Sequence, residues 1–515
     1  MKPSISVGQQ PRLFGHPVGL YVLFFTEMWE RFSYYGMRAI LTLFLISQVN
    51  GANPGYGWTE AEAYALYGWY TMFVYVASIP GGILADKLLG QRKAVMLGGF
   101  FLVAGHGILA IDAIWAFYLG LLLIILGVGC LKPNISTMVG GLYGEKDVRR
   151  DMGFYIFYMG INVGAASSAL IVGYVGENIG WHYGFGLAGI GMLLGQIVFI
   201  GGQKYLKGVG EPPGKKKAEN KGPNLLQAIL LQPNALFWTA LVALAGLLFS
   251  IFYAWDYGLL IMALSLAVGI AIVFYNESDP VEKDRLLVVY LSFLIIIVFW
   301  GAFEQAGGLM NVYAEQKTDR FLGWSILQEV PATWFQSTGA IFILILATPI
   351  GLFWNWWRKK GYESSSILKM GIGVMIMGSG FLFMSAASME YETEGKSAMS
   401  WLVLAYLLHT IGELCASPVA LSYITKLAPV RYVAFMMGAY FAATGLGNKV
   451  AGLLGEVSAS AGELAVFTGI AVFCVLFGLL VLALLKPLKR LAHGAEDLPD
   501  THFEEQEGFE MADRP

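Results

Sequence analysis

The chain has 515 residues, 57% of them hydrophobic and only 13% charged, with a formal net charge of −3 and a mean hydropathy of +0.61. A soluble domain carries about 25% charged residues, so this composition excludes one and implies a polytopic membrane protein. The small net charge decides little, because the placement of charge matters more than its sum.

In chain order, the stretch Met1–Val7 is too polar for a cleavable signal peptide and has no apolar region of its own. Six spans are predicted near residues 20–46, 61–85, 94–112, 115–139, 152–175 and 181–203. A basic linker with glycine and proline follows, Lys204 to Pro223, carrying Lys215, Lys216 and Lys217. Two more apolar runs lie near 234–252 and 257–275, then six spans near 285–309, 332–356, 366–388, 398–425, 432–455 and 463–486. The chain thus divides into a six-helix bundle (1–203), a linker with two additional helices (204–282), a second six-helix bundle (283–490) and an acidic, disordered tail (491–515). Cys130, Cys415 and Cys474 lie in apolar runs and read as packing residues, not as disulfides or metal ligands.

Lysine and arginine set the orientation. Lys87, Arg92 and Lys93 follow the second span, and Lys146, Arg149 and Arg150 the fourth. In the second half Arg358, Lys359 and Lys360, then Lys426 and Arg431, then Lys486, Lys489 and Arg490 mark the same side. Lys317, Arg320 and Lys396 are exceptions on the other side. Both termini are therefore expected in the cytoplasm. Two six-helix halves with a basic linker match the major facilitator architecture, here with fourteen helices in all. The Gly81–Lys93 segment fits that superfamily's signature loop, with glycines for a tight turn and an expected Asp86–Arg92 ion pair. The matching loop, Gly351 to Gly361, keeps the basic cluster without the aspartate.

The densest polar feature lies in the first span. Glu27, Glu30, Arg31, Tyr34 and Arg38 fall within an arc of roughly 100°, one stripe on one helix face about 16 Å long. Two acids and two arginines facing lipid would cost several kcal/mol each, so the stripe must face protein or a water-filled cavity. It is either a structural ion-pair cluster or, the preferred reading, a proton and substrate site. Further intramembrane groups are Lys132 beside Pro133, Glu304, Glu413, Asn162, Gln336, Asn448 and Lys449, the last expected to snorkel to an interface. His106 and His409 are expected to be packed and hydrogen-bonded. The first half supplies cations, Arg38 and Lys132, and the second acids, Glu304 and Glu413. A cavity between them suits a small zwitterion, and the same pairs would bridge the halves on closure. Tyr34, Tyr35, Tyr67, Tyr75, Trp300, Trp334 and Tyr440 supply aromatic lining.

Glu27-xx-Glu30-Arg31-Phe-x-Tyr34-Tyr35-Gly resembles the ExxERFxYYG motif of the proton-coupled oligopeptide transporter (POT) family. Leu131 to Gly140 with Arg149 to Ala165, Phe299 to Gln305 with Trp334 to Ser337, and Gly412 to Pro418 are similar to its other signatures. The resemblance implies a bacterial-type symporter of the major facilitator superfamily that imports di- and tripeptides with protons by alternating access, without other cofactors. It implies an inner-membrane protein in contact with lipid, functional as a monomer, with no nucleic-acid partner and no enzymatic activity. By motif position, Glu27, Glu30, Arg31 and Glu304 resemble the proton-coupling groups. Arg38, Tyr34, Tyr35, Tyr75, Lys132, Asn162, Trp300, Glu413, Ser417 and Tyr440 resemble the substrate site. Lys132–Glu413 and Arg38–Glu304 resemble gating salt bridges. Three departures stand out: Gly339 where the family has an asparagine, Tyr440 for its tryptophan, and Gly68 where animal members have a histidine. A nitrate or small-anion carrier is the competing transporter reading, against which Glu413 argues. A membrane enzyme lacks a clustered nucleophile–base or metal set, and a transport-inactive nutrient sensor remains open.

Overall fold

The computed structural model describes residues 11–144, 147, 149–212, 233–252, 255–323, 327–429 and 432–495. Lys146, Lys215–Lys217, Arg431 and residues 496–515 of the tail, each placed by the reading above, lie outside them. The first half consists of α1 (Val18–Ile46), α2 (Glu60–Leu89), α3 (Gln91–Leu109), α4 (Ile114–Gly141), α5 (Met152–Asn178) and α6 (Trp181–Gly201). Next come α7 (Pro233–Phe252) and α8 (Trp255–Glu277). The second half is α9 (Pro280–Lys317), α10 (Trp334–Lys359), α11 (Ser366–Glu394), α12 (Met399–Leu427), α13 (Val433–Ala461) and α14 (Glu463–Ala483). Among the described residues, ten of these helices are long and apolar enough to cross a membrane. All fourteen expected spans have a helix in place. The chain is an all-α multi-pass membrane protein.

Local chemistry explains several boundaries. Capping boxes start α2, where Thr59 and Glu62 exchange hydrogen bonds, and α9, where Asp279 and Glu282 do so with Pro280 at the first helical position. The segment 81–93, expected as a loop, is helical through Leu89. Its turn is the single residue Gly90, at φ +76°, where a side chain would be strained. Asp86 is exposed, and Arg92 pairs instead with Glu211 at 2.8 Å. The Asp86–Arg92 expectation is corrected accordingly, because the chain after α6 folds back over Gly90 and brings its own acid closer. Likewise 351–361 is helix through Lys359, and the turn comes at Gly361, φ +78°.

The halves cross closely along α2 and α13. A Cβ on Gly68 would lie 3.0 Å from the Gly452 Cα, and one on Gly452 2.7 Å from the Tyr64 carbonyl. Lys449 is buried in this crossing, 1% exposed, and its ammonium reaches Glu456 at 3.1 Å. It does not snorkel outward, because an acid on its own helix lies within reach. Pro133 sits inside α4 and removes the hydrogen bond to the Gly129 carbonyl. Gly81 of α2 packs against that carbonyl, where a Cβ would come within 2.0 Å. The three cysteines are free and buried.

The three cations on the unexpected side each have a local partner. Lys317 pairs with Glu463 at 2.6 Å, Arg320 with Glu315 at 2.6 Å and Glu329 at 3.1 Å, and Lys396 donates to the Gln316 carbonyl. At the opposite end Arg149 grips Asp147 and holds that carboxyl below its ordinary range, chiefly through the side-chain hydrogen bond.

Candidate functional site

Between the halves, α1, α4, α5, α9, α10 and α12 enclose a cavity of about 250 Å³. Of the residues named from sequence, Arg31, Tyr35, Arg38, Lys132, Asn162, Trp300, Glu304, Glu413 and Ser417 line it. Glu27, Glu30, Tyr34 and Tyr75 stand behind the lining. Tyr440 faces an adjoining smaller space together with Trp300 and Ser417.

The polar stripe of α1 is buried along its whole length. Small residues of α5 admit it: a Cβ on Gly164 would lie 2.2 Å from the Met28 carbonyl and 3.0 Å from Arg31 Cβ. Arg31 Nη2 lies 2.7 Å from Glu27 Oε1, one turn away, and Arg31 Nε 3.1 Å from Glu30 Oε2. Glu27 Oε2 and both Glu30 oxygens are buried without an aligned hydrogen-bond donor. Two carboxylates thus share one guanidinium in a dry setting, where unpaired charge is costly.

Two turns beyond Arg31, Arg38 Nη1 donates to both oxygens of Glu304 at 2.9 and 2.8 Å, joining the halves. Tyr67 donates its hydroxyl to Glu304 Oε2 at 3.0 Å. The Arg38 guanidinium lies 4.6 Å from the Tyr35 ring centre, and that of Arg31 5.9 Å. Glu304 opens a 3₁₀ turn, Glu304–Gly307, that interrupts α9, an irregularity not foreseen from the sequence. The Gly307 carbonyl accepts from Thr42 Oγ1 at 3.0 Å. A Cβ at 307 would meet the Tyr67 hydroxyl at 2.1 Å, so the turn passes where only glycine fits.

Lys132 rests its ammonium 3.5 Å from the Tyr75 ring centre. It forms no ion pair with Glu413 here. Each of the two stays with its own half, and Glu413 Oε2 is buried without a donor among the described residues. Asn162 donates to the Tyr158 carbonyl at 2.9 Å. His106 is packed and bonded to the Leu102 carbonyl at 2.8 Å, as expected. His409 is buried against Phe381 but also lines the cavity, and its Nε2 has no protein partner.

Residues not assigned to the site from sequence also contribute. Tyr158, Tyr406 and Thr410 line the cavity, as does Gln336, which the sequence reading named only as an intramembrane polar group. Tyr406, Thr410, Glu413 and Ser417 recur at helical spacing on one face of α12, a signal present in the sequence. Asn311 had no such signal. It donates to the Ala39 carbonyl at 2.8 Å, which also accepts from Gln336 Nε2 at 3.3 Å.

A sequence profile described as the POT family matches residues 92–468. "Peptide transporter YePEPT" of Yersinia enterocolitica subsp. palearctica serotype O:3 (strain YE-P4) is 36% identical over 519 residues, covering 96% of this chain and 99% of the relative. A "Di-/tripeptide transporter" of Lactococcus lactis subsp. cremoris is 36% identical over 493 residues, covering 93% and 97%. Among solved structures, a peptide transporter POT in complex with sulfate superposes with a TM-score of 0.78 at 34% identity, covering 94% of this chain and 97% of the other. A POT family transporter in complex with 5-aminolevulinic acid gives 0.79 at 30%, covering 94% and 99%.

Proposed function

This chain belongs to the POT family, and on that premise we propose that it carries di- and tripeptides into the cytoplasm together with protons, by alternating access, across a bacterial inner membrane. It is a secondary transporter with the major facilitator fold, not an enzyme. The observation that carries the substrate reading is the divided cavity. Arg31, Arg38 and Lys132 of one half face Glu413 of the other across about 250 Å³. A peptide offers a carboxylate for the first wall and an amine for the second. A small inorganic anion gains nothing from Glu413.

With the basic segments toward the cytoplasm, both termini lie there, and the end closed by Arg38–Glu304 faces outward. The cavity then belongs to an inward-facing state, in which Lys132 and Glu413 stand apart. Glu27, Glu30 and Arg31 couple the proton: one guanidinium balances one carboxylate, and a proton balances the other. Glu304 couples it to the gate, because neutralising it removes the charge that holds Arg38. Tyr34, Tyr35, Tyr75, Asn162, Trp300, Ser417 and Tyr440 shape the site between the charged ends. Surrounding lipid and the coupling proton are the other partners, no further cofactor is invoked, and a monomer suffices because the site is complete within one chain.

The test is uptake of a labelled dipeptide into proteoliposomes with and without an inward proton gradient. Gradient-dependent accumulation, competed by di- or tripeptides and not by nitrate or free amino acids, is expected. Intact, correctly oriented protein that accumulates no peptide would overturn the reading.

A further inference from the structure

Gly339 is the one glycine among the described residues that line the cavity. Gly81 and Gly452 are required by close backbone approach, since a Cβ there would come within 2.0 and 2.7 Å of a neighbouring carbonyl oxygen. At Gly339 a Cβ would meet nothing nearer than Thr410 Oγ1 at 3.7 Å, which is ordinary contact. Helix packing therefore does not call for glycine here, and glycine is a poorer helix former than alanine. What its absent side chain leaves is open space in the cavity wall.

The surroundings of that space define what it takes. Gln336, Gly339, Ala340 and Ile343 form one face of α10 and all line the cavity. Facing them, the Thr410 hydroxyl is the atom nearest the missing Cβ, and its proton is already committed to the Tyr406 carbonyl at 2.8 Å, so it has none to offer a polar side chain. The bay is thus open at Gly339 and Ala340 and apolar at Ala340 and Ile343. It also adjoins the acid, since Thr410 Oγ1 lies 3.5 Å from the Gly339 carbonyl and Glu413 follows three residues later, about 4.5 Å along the same helix. In a peptide the amine and the first side chain share one carbon. An amine held at Glu413 therefore delivers the first side chain into this bay.

We propose that Gly339 is a specificity-determining residue: the bay it opens beside Glu413 receives the N-terminal side chain and favours peptides whose first residue is large and apolar. The assignment rests on the peptide-transport reading above. It is tested by the ratio of kcat/KM for phenylalanyl-alanine to that for dialanine in gradient-driven uptake, with alanyl-phenylalanine as the positional control. In Gly339→Leu the ratio should fall at least about tenfold, because filling a pocket excludes a side chain by that order, while the ratio for alanyl-phenylalanine moves much less. Gly339→Ala, which fits without displacing any neighbour, should shift the ratio in the same direction by a smaller step and keeps the test open if the leucine variant does not fold. Equal losses for all three peptides, or unchanged ratios, would overturn the proposal and leave peptide transport standing. Absence of uptake for every peptide by the unaltered protein would overturn the transport reading itself, and the proposal with it.

Discussion

The two ends of the interface between the halves are built differently. At the end beyond Glu304 the contacts are short, directional and layered. Arg38 holds Glu304, then Asn311 and Gln336 converge on the Ala39 carbonyl, and finally Glu177 of α5 binds the chain just ahead of α10. That carboxylate accepts from the backbone of Ala332 and Thr333 at 2.8 and 2.9 Å and from Thr333 Oγ1 at 2.5 Å. The turn before it, Ala169–Gly173, is π-helical, which leaves the Leu170 carbonyl to accept from the Trp334 indole at 3.0 Å. Across the cavity, in contrast, Lys132 and Glu413 are unpaired, and the Tyr155 and Thr348 hydroxyls meet at 3.4 Å, the edge of hydrogen bonding. Both ends draw on the same residue types. The two ends thus differ in how densely polar groups pair across the halves, while the α2–α13 crossing joins the halves by close glycine contact.

The comparison breaks first at Glu304. Glu304→Ala leaves the Arg38 guanidinium buried with its principal partner gone, a loss of about 3–5 kcal/mol at such a pair. Gradient-driven uptake should fall by about 100-fold or more, and uptake within twofold of the unaltered protein would remove this pair from the gate. Next come the groups poised on the cavity's other side. Glu30→Gln should abolish accumulation against a gradient while sparing exchange of labelled for unlabelled peptide at equal pH, because the substrate-facing cations remain. Loss of both activities together would reassign Glu30 to structure. Lys132→Ala should likewise lose coupled transport, measured as the ratio of accumulation to exchange.

Much of this was legible in the sequence, for definite reasons. Apolar runs of membrane length leave little choice of element, and the stripe on α1 follows from helical spacing alone. The placement of Glu304 and Glu413 opposite the cations of Arg38 and Lys132 was readable from which half supplies each charge. What was not legible depends on tertiary approach. The Asp86–Arg92 pair fails because Glu211, distant in sequence, arrives nearer to Arg92. Lys449 stays inside because Glu456 is within its reach. The 3₁₀ turn at Glu304 follows from Tyr67 and Thr42 of the other half claiming its surroundings. Asn311 and Glu177 bear no mark in the sequence, since each bonds the other half only through the backbone groups set opposite it.

Smaller effects sharpen the contrast between the ends. Glu177→Ala removes three hydrogen bonds to Ala332 and Thr333, just ahead of α10, worth about 1–3 kcal/mol in total for partly buried groups. The outer end should then open more often, so that a cysteine placed at Asn53 gains reactivity toward an impermeant thiol reagent several-fold and uptake drops about threefold to tenfold. Tyr155→Phe, at the other end, deletes one contact at 3.4 Å and should change uptake by less than about twofold, since a hydroxyl pair so long contributes little. Should Tyr155→Phe cost as much as Glu177→Ala, the end at Tyr155 would be held as firmly as the end at Glu177, and the asymmetry would have to lie elsewhere along the interface. If Glu177→Ala is silent while Glu304→Ala is not, closure depends on the innermost layer alone, with the Glu177 contacts following rather than holding it.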